Sequence, residues 1–120
     1  MKHQIKLKRV YEEPAPEDGY RILTERLWPR GVSKERAKLD EWMKGVAPSH
    51  ELRKWFGHGP EKWDEFKDRY RNELFGSEAV QQLIDTVKRE HTVTFVFASG
   101  DEEYNSTVVL KEFTEQCLSG

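Results

Sequence analysis

The chain has 120 residues, enough for one domain that buries a core without disulfide or metal support. Its 20 Lys and Arg against 22 Asp and Glu leave a formal charge of −2, which argues against general, non-specific nucleic-acid binding, because that mode depends on a basic excess. The single cysteine, Cys117, excludes an internal disulfide and a Cys-rich zinc site, and no apolar run is long enough to span a bilayer.

The opening stretch HQIKLKRVY alternates polar and apolar residues, which predicts a strand over about 4–10 and is unlike a signal-peptide core. A cytoplasmic location is therefore expected. The connector EEPAPEDG breaks regular structure. YRILTERL then predicts a second strand over about 20–27, with Ile22, Thr24 and Arg26 on one face and Leu23, Glu25 and Leu27 on the other. Apolar residues come first on both faces and charges come last, so this strand runs from a buried layer to a polar rim. It ends in Trp28-Pro29-Arg30-Gly31, a rigid turn.

Ser33 is placed to cap a helix beginning KERAKL, and Leu39, Trp42, Met43 and Val46 continue it as an apolar stripe until Pro48. Ser49 caps a second helix, HELRKWF, which Gly57 closes. Gly59-Pro60 opens a third, with Trp63, Phe66, Tyr70 and Leu74 along one side. Gly76 ends it, and Ser77 caps a fourth that buries Val80, Leu83, Ile84 and Val87. TVTFVFA, residues 92–98, predicts a strand covered on both faces. Beyond Ser99-Gly100-Asp101 a closing helix carries Val109, Phe113 and Cys117 on one stripe.

The expected fold is α/β, a single domain over 1–120, three-layer, with a short mostly parallel sheet and about five helices. Strands two and three are expected to be parallel neighbours. The short connector favours an antiparallel, hairpin-like return between strands one and two, unless a turn of helix intervenes.

Parallel neighbours put the loops ERLWPRG and ASGDEEYNS at one edge of the sheet, where open α/β sheets bind ligands. Arg26 and Arg30 would hold a phosphate or carboxylate bidentately, and Trp28 would form a wall. Ser99, Asp101, Asn105 and Ser106 precede or open a helix whose free N–H groups favour an anion. Asp101 is the candidate acid or base. Each has a plainer reading: Arg26 pairs with Asp101 or Asp40, Trp28 lids the core, and Asp101 caps a helix. In SHELRKWFGHG, His50, Arg53, Lys54, Trp55 and His58 form a second basic-aromatic cluster, read first as a core face of Leu52, Trp55 and Phe56 with Arg53 and Lys54 in solvent. The histidine spacing does not match a metal motif, so no metal is expected. Cys117 reads as a buried or semi-buried core thiol near a helix C-terminus, where the dipole disfavours a thiolate. With no GxSxG, P-loop, GxGxxG or CxxC, no cofactor and no recognisable catalytic motif is expected.

The runs DGYRILTERLWPRG, LDEWMKGVAPSHELRKWFGHGPEKWDEF and YRNEL, with the buried strand and GDEEYNS after it, resemble the YeaO-like proteins, the short branch of the DUF488 family. The resemblance covers nearly the whole chain and implies a bacterial α/β domain without an established function. This chain departs from the family's pattern at Glu25, where an Asp is usual, and at Ser99-Gly100, where a lysine is common. Longer relatives carry a Cys-His-Arg motif where this chain has Tyr104-Asn105-Ser106, which takes a thiol out of the site.

The leading expectation is an anion-accepting pocket for a small molecule, with binding favoured slightly over catalysis. The rival is a nucleic-acid-associated or regulatory module with Arg30, Lys34, Arg36, Lys38, Arg53 and Lys54 as one basic face. A plain interaction protein with inert ion pairs is the third. No membrane partner is expected, and nothing in the sequence fixes an oligomeric state.

Overall fold

In the computed structural model, which describes residues 3–57 and 59–119, four strands form one parallel sheet in the order β1-β4-β2-β3. They are β1 (Gln4–Arg9), β2 (Tyr20–Leu23), β3 (Glu41–Trp42) and β4 (Thr92–Phe97). The helices are α1 (Lys34–Ala37), α2 (His50–Phe56), α3 (Trp63–Leu74), α4 (Glu78–Glu90) and α5 (Ser106–Ser119). The α/β class, the parallel pairing of the second strand with 92–97 and the number of helices follow the sequence reading. The second strand is shorter than expected, stopping at Leu23 rather than running to 27.

The central strand β4 explains the rest. Val93 and Phe95 point into a core with Ile5, Ile22, Phe66, Tyr70, Leu83 and Val109, so α2 to α5 cover this face. Thr94 and Val96 alternate to the other face, where Val96 meets Val10, Val32 and Ala37 under a thinner layer of α1 and loops. The layers are unequal because Lys6, Lys8 and Arg21 share this second face, in register with Thr94 and Val96.

Those polar residues correct the expected hairpin. β1 and β2 are not partners; both lie parallel against β4. Their connector forms a 3₁₀ turn at Pro16–Asp18 and is tied down over the second face. Lys6 Nζ donates to the Glu17 carbonyl at 2.7 Å, Thr94 Oγ1 to the Asp18 carbonyl at 2.7 Å, and Lys8 Nζ to Asp18 Oδ1 at 3.1 Å. Gly19 follows at φ +65°, and a Cβ there would sit 2.3 Å from the Thr92 carbonyl oxygen. Gly19→Ala is therefore expected to destabilise the fold by more than about 1 kcal/mol, measured by urea unfolding.

The helix expected to run from 34 to Pro48 is also corrected. α1 ends after Ala37 because Lys38 turns left-handed, φ 47°. The chain then pairs with β2, Asp40 N donating to the Arg21 carbonyl and Met43 N to the Leu23 carbonyl, both at 2.9 Å. Trp42 thus belongs to an edge strand and Val46 to a 3₁₀ turn, with Leu39 and Met43 in the chain on either side of the strand. The local signals hold: Ser33, Ser49 and Ser77 each accept an N–H from the first turn of α1, α2 and α4, and Gly57 closes α2. Cys117 is exposed rather than buried, because Val109, Phe113 and Cys117 lift progressively off the core along α5. Among the described residues no helix is long and apolar enough to cross a membrane.

The fully buried Tyr70 donates its hydroxyl to the Val46 carbonyl at 2.5 Å. Tyr70→Phe leaves that carbonyl without its partner, and a loss of about 1–3 kcal/mol is expected in urea unfolding.

Candidate functional site

All four strands point the same way, so their carboxyl ends and following loops share one edge. β2 leads into α1 on the thin face, whereas β4 leads into α5 on the thick face. Adjacent strands whose outgoing chains part to opposite faces leave a crevice between their ends. The loop after Leu23 and the loop after Phe97 line it, as the sequence implied.

Two adjoining cavities open here, of about 720 and 510 Å³. Glu25, Leu27, Arg53 and Ser99 line both. Arg26 lines the larger with His50, Lys54, Asn105 and Ser106, over a floor that includes Ala47, Pro48, Phe56 and Phe66. Arg30, Trp28 and Asp101 line the smaller. The structure therefore divides the two arginines between neighbouring cavities.

Each side chain has identifiable supports. Arg26 Nη2 donates to the Pro48 carbonyl at 3.2 Å, not to Asp101 or Asp40; the Asp40 carboxylate instead accepts the Arg21 backbone N–H. Trp28 Nε1 donates to the Val32 carbonyl at 2.6 Å and its ring meets Trp42 edge-on at 5.4 Å. Trp28 thus covers the thin-face core as well as one cavity wall. Asp101 Oδ1 accepts the N–H groups of Glu103 and Tyr104, and Ser99 Oγ accepts that of Asp101. Asn105 Oδ1 caps α5 by accepting from Val108 N at 3.1 Å, and its Nδ2 donates back to the Asp101 carbonyl. Arg9 Nε holds this loop from outside by donating to the Ser99 carbonyl. The second loop is accordingly built by its own polar residues. His58 lies outside the described residues.

Glu25, Arg53, His50 and Lys54 belong to the site although the sequence reading did not place them there. Glu25 had appeared as one residue of an alternating strand and as a departure from the family's usual Asp. Its Oε1 accepts Ala98 N at 3.0 Å, joining the two loops, and its own carbonyl accepts Trp42 Nε1. Burial pushes its carboxyl above the usual range, against the Ala98 hydrogen bond and the Arg53 charge that pull it down. A raised folded-state pKa means that stability falls as pH rises from the ordinary Glu value through the raised one. Glu25→Gln keeps an acceptor for Ala98 and removes the buried charge. Its urea midpoint is expected to exceed the wild type's at pH 8, with the advantage shrinking towards pH 4.

The result is an open, parallel α/β sheet with a cationic, apolar-floored crevice at the point where its connections diverge. The chain belongs to the DUF488 family: a family model described as the inactive DUF488-N3 subclade matches residues 4–120. The uncharacterised protein YeaO of Escherichia coli is 36% identical over 109 residues, spanning 91% of this chain and 95% of YeaO. An uncharacterised protein of Mycobacterium tuberculosis is 46% identical over 80 residues, 67% of this chain and 68% of that protein, and one of Mycobacterium bovis matches equally. No solved structure matches the chain.

Proposed function

We propose that this protein binds a small molecule bearing a phosphate or carboxylate in the larger cavity, and that it binds without making or breaking a bond. One observation carries the reading: among the described residues, Arg26, Arg53 and Lys54 line a cavity whose only carboxylate is that of Glu25, and none of the three cations is in an ion pair. Guanidinium groups that are not engaged by carboxylates keep N–H donors for an anion. His50 and Ser106 add donors on the same wall. Arg30, in the adjoining cavity with Arg53, extends the cationic surface rather than closing a clamp with Arg26. Asp101 shapes the loop through its backbone hydrogen bonds and is not assigned the role of a base.

Binding without catalysis is supported by the description of the matching family model as inactive and by the position of Cys117, which does not line the cavity. A cytoplasmic location belongs to the same proposal.

The reading is tested by titrating the protein with methyl phosphate and acetate at fixed ionic strength. A ligand that binds only the folded state raises the melting temperature with concentration. Saturable binding of either anion is expected. A flat response to both contradicts the reading, and binding without saturation that is lost when the titration is repeated at higher salt points to the basic-face alternative.

A further inference from the structure

We infer that the ligand of the larger cavity is an aromatic anion, a planar ring carrying the phosphate or carboxylate. This rests on the anion-binding reading and adds the body of the ligand to it.

Size is the first argument. A bare phosphate occupies on the order of 100 Å³, judged against about 30 Å³ for one water, whereas the cavity is about 720 Å³ and falls in the range of organic ligands. The lining is the second. The cations Arg26, Arg53 and Lys54 share the cavity with Ala47, Pro48, Phe56 and Phe66, so a ligand meets charge and an apolar floor together. A polyhydroxylated body would leave hydroxyls unpaired against that floor, and a second charge there would be desolvated.

The third argument is the aromatic character of the floor. Phe56 and Phe66 lie with centroids 4.5 Å apart, and Trp63 packs against both at 6.0 and 5.6 Å. Tyr104 meets Trp63 edge-on at 5.3 Å and also lines the cavity, yet remains 41% exposed. An aromatic cluster thus runs from the core to the mouth of the cavity. A ring added to such a series gains offset-stacked or edge-to-face contacts that a saturated body of equal size does not.

The test compares methyl, cyclohexyl and phenyl phosphate by calorimetric titration of the intact protein, at one ionic strength. Phenyl phosphate is expected to bind at least about tenfold more tightly than methyl phosphate and about threefold more tightly than cyclohexyl phosphate. Tyr104→Ala, a change at a position 41% exposed, should reduce the phenyl-to-methyl affinity ratio. Methyl phosphate that binds as tightly as phenyl phosphate overturns this inference and leaves the anion site standing. Equal affinity for the phenyl and cyclohexyl esters overturns the aromatic assignment. Failure of all three esters to bind overturns the anion site and this inference together.

Discussion

Arg21→Ala is expected to lower the unfolding free energy by about 3–5 kcal/mol, the usual consequence of removing one partner of a buried ion pair. Arg21 is 4% exposed on the thin face of the sheet. Its Nη1 lies 2.6 Å from Asp18 Oδ2, its Nη2 donates to the Ala37 carbonyl at 2.7 Å, and its Nε reaches the Ala37 and Lys38 carbonyls at 3.2 Å. One guanidinium therefore joins the β1–β2 connector, β2 and the C-terminus of α1. Alanine would leave the buried Asp18 carboxylate with Lys8 and the Ala15 backbone N–H, and the end of α1 without its donor. Urea unfolding at pH 7 measures the loss.

The pH dependence has a definite sign. Burial raises the Asp18 carboxyl, but the Ala15 backbone N–H, Lys8 and Arg21 outweigh it and hold the group below its ordinary value of 3.8. A depressed folded-state pKa gives stability that is present above the ordinary value and lost as pH falls through the folded one. The gap between wild type and Arg21→Ala should accordingly narrow below about pH 4.

Arg53→Ala is expected to weaken anion binding about tenfold or more, the worth of a charge-assisted hydrogen bond, while leaving the melting temperature almost unchanged. Arg53 is exposed, has no ion pair among the described residues and lines both cavities. Leu52 and Phe56 on the same helix supply the core contacts, so the fold does not depend on the Arg53 side chain. Arg30→Ala, confined to the smaller cavity, should have the lesser effect on a small anion. Equal losses for both variants, spread equally over Lys34, Arg36 and Lys38, would identify a diffuse basic surface instead.

How far the sequence went depends on the range of the interaction. Ser33, Ser49 and Ser77 were legible as caps because the bonds they accept lie within one helical turn. β4 was legible because a run covered on both faces has little polarity. β3 was not: Leu39, Trp42, Met43 and Val46 have helical spacing, and pairing with β2 through Asp40 and Met43 overrides it. The position of β1 was hidden similarly, since the ties of Lys6, Lys8 and Thr94 to the connector arise only once β4 has entered the sheet. At the site, facing loops followed from parallel strands. The grouping of Arg26 with Arg53, and not Arg30, depends on α2 lying over the sheet edge, which no local pattern records.

The most direct test of the anion site is a ¹H–¹⁵N NMR titration with methyl phosphate at constant ionic strength. The site predicts amide shifts at Arg26 and Leu27, at His50 to Lys54 and at Tyr104 to Ser106, all fitting one Kd. Shifts centred on Lys34 to Lys38, without saturation and vanishing with added salt, would contradict it.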